Sequence, residues 1–217
     1  DAAKVALRCH GEVCDMKNFN CPKCGKTFEE RLTDMIAKIG ENMNLRRAKV
    51  LEVNNGVVAS YVHSALRPNL GRIGVLVALE STADKEKLKE LGKHIAMHIA
   101  ASAPLFLDIA HVDPAAVAHE KSIFAEQAKA SGKPENIIEK MVEGRIRKYY
   151  EEVVLMEQVY IKDPDGKKKV KDVLTGLIAK IGEKITIRRF TLMVMGEGLE
   201  KRNDDFAAEV AAQSQMK

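Results

Sequence analysis

Four cysteines, Cys9, Cys14, Cys21 and Cys24, are gathered into the first 24 residues, and the rest of the chain holds none. The run Cys21-Pro22-Lys23-Cys24-Gly25 has the two-residue spacing of a metal knuckle. Two thiolates would take one side of a tetrahedral site, and the glycine permits the tight backbone. A closed zinc site needs two more ligands, for which Cys9 and Cys14 are the candidates, with His10 as a substitute. Three or four protein thiolates leave no open position, so zinc here would staple a short segment rather than catalyse. The competing reading is a segment of free thiols. Confinement of the cysteines to one cluster fits a reducing compartment with a local use for them.

Other chemistry is sparse. Gly196-Glu-Gly198-Leu-Glu-Lys201 has two glycines but no third, and opens no helix pattern, so it is a poor phosphate cradle. His94 and His98 stand one helical turn apart, a zinc-pair spacing. The metalloprotease pattern needs Glu after the first histidine as general base, and Ile95 stands there. His98 falls beside Leu91 and Ile95 on an apolar face and reads as a structural histidine. No Gly-x-Ser-x-Gly elbow and no pair of convergent carboxylates stands out. The expectation is a binding protein, not an enzyme, and no cofactor is expected beyond zinc at the four cysteines.

The elements that must position these residues are written in an ordinary globular composition: 217 residues, 46% hydrophobic, 30% charged and no Trp. Aliphatic and Met side chains must build the core. A net charge of +4 is too mild to argue for nucleic acid by itself. No apolar run approaches the roughly 18 residues of a spanning helix. The chain begins at Asp1 without a signal-like stretch, which suggests a processed or truncated form.

One segment is written twice. LTDMIAKIGENMNLRR (32–47) and LTGLIAKIGEKITIRR (174–189) share ten identical positions. The separation far exceeds the roughly 20–50 residues of a stacked repeat, so it suggests a duplicated subdomain. In each copy the spacing predicts a helix with one apolar face: Leu32, Met35, Ile36 and Ile39, then Leu174, Leu177, Ile178 and Ile181. Gly40 and Gly182 stop them. Strands are predicted after both, at 44–53 and 185–195, with a turn at Asn54-Asn55-Gly56. Further strands are predicted at 57–64, 72–80 and 153–161.

A helix is predicted over 84–104, with Leu88, Leu91, Ile95 and Ile99 on one face and Pro104 ending it. Residues 113–151 read as a helical hairpin. Asp113-Pro114 caps and starts its first helix, which runs to about Ala130, and Gly132 and Pro134 break and restart it. The second helix carries Ile138, Met141, Val142, Ile146 and Tyr149. Long, amphipathic and inserted between strands, the pair predicts an antiparallel coiled-coil arm. The lysine run in 163–171 reads as a solvated turn, and 200–217 as a last helix with Phe206 and Val210 inward.

Taken in order, IAKIGENMNLRRA, VVASYVH, RIGVLVALES, GKHIAMHIAAS, SGKPENIIEKMVEGRIRKYYEEV and GEGLEKRNDDFAAEV resemble the translation elongation factor Ts family over roughly residues 30–212. The resemblance implies an α+β fold with two related subdomains of small antiparallel sheets and packed helices, an inserted coiled-coil hairpin and a C-terminal helix. On it the chain divides into a poorly matched cysteine segment (1–30), a remnant of the first core subdomain with a helix and a strand (31–55), the second subdomain in two parts (56–112 and 153–199), the arm (113–152) and the C-terminal module (200–217). It implies a guanine-nucleotide exchange factor that binds elongation factor Tu, GDP-bound or nucleotide-free, and promotes GDP release. The family residues that contact this partner match Ile39, Gly40, His63, Ile161 and Gln213. It further implies no membrane, no direct nucleic acid, a homodimer contact through the arm as an option, and a bacterial cytoplasm, with a mitochondrion or plastid as the alternative.

Two departures stand out. The chain lacks the family's N-terminal three-helix domain and its Thr-Asp-Phe-Val-Ala segment; Asp204-Asp205-Phe206 matches the family's tail instead. A fragment or short form with reduced exchange is expected. The alternative of another class is a zinc-ribbon module that binds nucleic acid or the ribosome.

Overall fold

A computed structural model describes residues 2–129 and 134–199. Its fold is α+β: the described residues form seven α-helices and one three-stranded antiparallel sheet. The sheet comprises β1 (Gly56–Arg67), β2 (Leu70–Glu80) and β3 (Thr186–Val194), in the order β1-β2-β3. β1 and β2 form a hairpin turning at Pro68 and Asn69, and β3 returns from far along the chain to pair with β2.

Period-two alternation puts Val57, Val75, Val77, Leu79 and Ile187 on the covered face of this sheet. The cover is α4 (Lys85–Ser102), started by Asp84, whose carboxylate accepts from the N–H groups of Glu86 and Lys87. Its buried residues Leu88, Leu91, Ile95 and Ile99 interlock with the strands. Gly92 permits the closest approach: a Cβ there would lie 2.4 Å from the Cβ of Ala59.

The helix of the repeated segment forms in both copies and packs differently. α3 (Phe28–Ile39) and α7 (Val170–Ile181) both end at a left-handed glycine, Gly40 at φ 78° and Gly182 at φ 79°. In α7, Val170 and Leu174 are buried, and Leu177, Ile178 and Ile181 pack against the sheet's core. In α3 no residue is buried.

The predicted strand at 44–53 is not one. Residues 40–53 run without regular structure, whereas the matching stretch of the second copy forms β3. A strand needs a neighbour for its backbone groups, and among the described residues none lies alongside. Leu45, Ala48 and Val50 instead cover a small cluster of Val5, Ala6 and Met16. The last three come from α1 (Ala2–Arg8) and α2 (Val13–Asn18). Arg46 donates to the backbone oxygen of Glu197 at 2.8 Å and Arg47 pairs with its carboxylate at 2.7 Å, tying this unit to the turn after β3.

The strand expected at 153–161 is also replaced. Val154 and Leu155 are fully buried, a 3-10 turn bends the chain over Leu155–Glu157, and only single bridges, Phe106 to Val154 and Val159 to Lys169, remain of a ladder. A continuous apolar run resembles a strand in sequence; here it is an anchor buried from several sides. The lysine run is only partly solvated. Lys169 donates to Glu151 (3.1 Å) and Glu157 (2.9 Å), and Lys171 to Glu157 (2.6 Å). Burial would raise the Glu157 carboxyl, but these two ammonium groups outweigh it and hold the pKa below its usual value.

α5 (Pro114–Lys129) and α6 (Glu135–Val153) pack side by side, joined across residues 130–133. Ile146 is buried, and Ile138, Met141, Val142 and Tyr149 are half-buried along the face expected from their spacing. The expected break at Gly132, and the last helix with Phe206 and Val210, lie outside the described residues.

Candidate binding surface

His63 belongs to β1, opposite Ile73 of β2. By alternation it shares a sheet face with Val57, Ala59 and Tyr61. Val57 and Ala59 are buried, yet His63 is exposed, so the cover provided by α4 ends before it. The Tyr61 hydroxyl and His63 Nδ1 are hydrogen-bonded at 3.1 Å, and the rings lie 6.1 Å apart, which fixes the orientation of the imidazole. Beyond His63 the pairing slips between Ala65 and Arg67, and Ser64 and Asn69 adopt φ of 52° and 62°. This irregular tip turns two leucines into solvent, Leu66 at 80% exposure and Leu70 at 62%. Sequence reasoning passed over both. The available signal was a pair of leucines bracketing a Pro-Asn turn, where no core could receive them.

Ile39 and Gly40 close α3. The helix starts at a reciprocal cap: the Thr27 hydroxyl accepts from the Glu30 N–H, and the Glu30 carboxylate accepts from the Thr27 N–H. Its amphipathic face is uncovered at this end, with Ile39 and Met35 each about half exposed. The glycine thus has the stop role read from sequence, and it leaves an exposed isoleucine beside it.

Ile161 does not end a strand, as expected, but sits in a turn after the buried anchor. Its side chain is exposed and its backbone N–H donates to Nδ1 of His98 at 3.3 Å. His98 is fully buried in α4, as its position on the apolar face implied. With Nδ1 accepting, Nε2 carries the proton and donates to Oε1 of Gln158 at 3.0 Å. The Gln158 amide nitrogen donates to the carbonyls of Glu152 (2.7 Å) and Ser102 (3.3 Å). Burial holds the His98 pKa below its ordinary value, opposed by the Gln158 bond. The imidazole is a satisfied internal bolt, and Ile161 is presented from it.

Gln213 lies outside the described residues. Among the other four expected contact residues, no hydrogen bond or ring contact joins one to another. Ile39 and Gly40 are neighbours at the end of α3, and His63 and Ile161 are exposed elsewhere, on β1 and on the turn after the buried anchor.

The cysteines divide into two groups. Cys21 and Cys24 share a tight turn: the Cys21 carbonyl accepts from the N–H of Cys24 (3.3 Å) and Gly25 (2.9 Å), and the Cys21 N–H donates to the carbonyl of Lys26 (2.9 Å). The backbone N–H of Lys23, the Cys24 thiol and the Cys24 N–H all reach the Cys21 sulfur and hold its pKa below the usual thiol value. Cys9 instead packs against the small cluster of Val5, Ala6 and Met16, and Cys14 is exposed near Asn18. Among the described residues no group of three or more His, Cys, Asp or Glu is placed to hold a metal ion. The expected four-cysteine zinc site is therefore not drawn together; the donors present are two thiols. Nor is any helix among these residues long and apolar enough to cross a membrane.

Comparison with known proteins identifies the family of the chain. The family model described as "Elongation factor TS" matches residues 1–168, so it takes in the cysteine segment that the motif resemblance left aside. The elongation factor Ts of Rhodospirillum centenum is 52% identical over 209 residues, which are 96% of this chain and 67% of that protein. That of Paramagnetospirillum magneticum is 54% identical over 212 residues, 98% of this chain and 67% of that protein. That of Caulobacter vibrioides is 53% identical over 188 residues, 87% of this chain and 60% of that protein. The chain thus spans about two thirds of the length of the first two relatives and less of the third. Half-identity sustained along nearly the whole of this chain leaves one assignment: it belongs to the elongation factor Ts family.

Proposed function

We propose that this chain serves translation elongation by binding elongation factor Tu and promoting release of its GDP. The observation that carries this reading is the 52–54% identity to proteins called elongation factor Ts along 96–98% of the chain. It works by binding, not by making or breaking covalent bonds. A factor that binds the nucleotide-free partner more tightly than the GDP-bound one must, by linkage, weaken GDP. The contact surface is the exposed set His63, Ile39-Gly40 and Ile161, to which the hairpin tip adds Leu66 and Leu70. Both leucines are exposed and so available to bury apolar area against a partner. The chain carries no Thr-Asp-Phe-Val-Ala segment, so its exchange activity should be weaker than that of a longer relative. The relatives are bacterial, which supports the bacterial cytoplasm as the place of action.

The test is release of fluorescent GDP from bacterial elongation factor Tu, with a full-length relative alongside. We expect acceleration by this chain, smaller than by the relative. Capture of the partner without acceleration would keep the binding and remove the exchange; no capture would remove both.

His63→Ala should weaken capture about five- to tenfold, or roughly 1–1.4 kcal/mol. The melting temperature should not change, because the side chain is exposed. A fall in melting temperature with unchanged affinity would make His63 a part of the strand's own stability.

A further inference from the structure

We propose that Cys21 and Cys24 form a dithiol that exchanges with small organic disulfides bearing carboxylates, closing reversibly to a disulfide. Three features of the turn carry this. First, the hydrogen bond from the Cys24 N–H to the Cys21 carbonyl closes the turn. A β-turn brings its first and fourth Cα within about 7 Å, the span a disulfide bridges. Second, both are reachable. Cys24 is exposed and Cys21 is half-buried in a cleft of about 670 Å3. Third, that cleft suits an anion with some apolar body. Arg8, Lys23 and Arg31 stand on it, and Phe19 and Phe28 line it, with Arg8 lying over the Phe19 ring at 5.6 Å.

The same geometry argues against a metal within one chain. A closed zinc site takes four ligands, and the pair gains no third His, Cys, Asp or Glu among the described residues. Two thiols without further donors can still do redox chemistry. The Cys21 thiolate attacks one sulfur of the organic disulfide and expels one thiolate, leaving a mixed disulfide on Cys21. Cys24, losing its proton to solvent, attacks the Cys21 sulfur and expels the second thiolate. The protein gives two electrons, the organic disulfide is reduced to two thiols, and one S–S bond is broken for each one formed.

The probe is glutathione disulfide, added to the whole chain in defined mixtures with glutathione, followed by acid quenching, alkylation and peptide mass spectrometry. We expect a Cys21–Cys24 disulfide that dithiothreitol reverses, with Cys9 and Cys14 still free to alkylate. Cys21 should react about tenfold faster than the exposed Cys14, which serves as the internal control. The Cys24→Ser variant should stop at one glutathione on Cys21, and circular dichroism should report the same helix content. Equal reactivity of Cys14 and Cys21, or a Cys24→Ser variant carrying no adduct, would overturn the proposal. So would one tightly bound zinc per chain that protects the pair, which would make the turn a metal site completed from elsewhere.

Discussion

Gly92→Val should lower the melting temperature by about 10 °C, a loss of roughly 3–4 kcal/mol for a chain of this size. The cause is the approach of α4 to the sheet. A Cβ at position 92 would sit 2.4 Å from the Cβ of Ala59 and 3.2 Å from Cδ1 of Leu79. The first of these atoms is fixed to the strand backbone and cannot swing aside. The helix must therefore lift, and with it the seam of Leu88, Leu91, Ile95 and Ile99 against Val57, Val77 and Leu79. Gly92→Ala meets the same atom but gains up to about 1 kcal/mol of helix propensity, so its loss should be smaller. Gly176→Ala in α7 is the control, because a Cβ there meets nothing within 4 Å. That variant should gain about 0.5–1 kcal/mol. Thermal melts of the three variants decide the matter. If Gly92→Val melts with the parent, α4 does not lie this close to β1.

The same contrast between copies shows how far the sequence could be read. Helix faces and stops were legible, because they depend on spacing within a dozen residues: α3 and α7 both form, and both end at the glycine. What each helix packs on was not legible. Leu174 enters the core while its counterpart Leu32 stays half-buried, although the sequences around them nearly coincide. The strand after each helix followed the same rule. Residues 186–194 pair with β2, and the equivalent residues of the first copy have no described partner strand, so they stay unpaired and without regular structure. Pairing is a property of the neighbour, which local pattern does not contain. The 153–161 stretch failed for a related reason: an apolar run shows burial but not the path of the chain. At the candidate surface, His63 was named through resemblance alone, since a lone histidine in a strand has no chemical signature. Leu66 and Leu70 were missed because apolar residues are read as core until a structure shows them outside.

Gln158→Leu should cost about 3–5 kcal/mol, again about 10 °C or more, although it exchanges one side chain for another of similar size. The amide is buried and makes three hydrogen bonds, to His98, Glu152 and Ser102. Leucine replaces none of them, so the buried His98 N–H loses its partner, and the partly buried carbonyls of Glu152 and Ser102 lose theirs. The pH dependence has a definite sign. Burial holds the folded-state pKa of His98 below its ordinary 6.5, so the unfolded chain takes up its proton first as the pH falls. The stability from neutral His98 is complete above about pH 6.5 and is lost as the pH drops through 6 and below. The carboxylates held low, such as Glu157, begin to cost stability only near their ordinary 4.5, which leaves a window between about pH 5 and 6.5 for the histidine. His98→Gln should be less stable at neutral pH but flatter across that window. Gln158→Leu should be steeper, since it removes the bond that favours the charged imidazole. Urea melts at pH 5.2, 6.0 and 7.5 separate these outcomes, and parallel slopes for all three proteins would mean that His98 takes up its proton alike in the folded and unfolded chain, so that burial does not shift it. Because Ile161 hangs from the same imidazole, Gln158→Leu should also loosen the proposed capture of elongation factor Tu at temperatures where the chain remains folded, joining a buried hydrogen bond to a proposed contact residue.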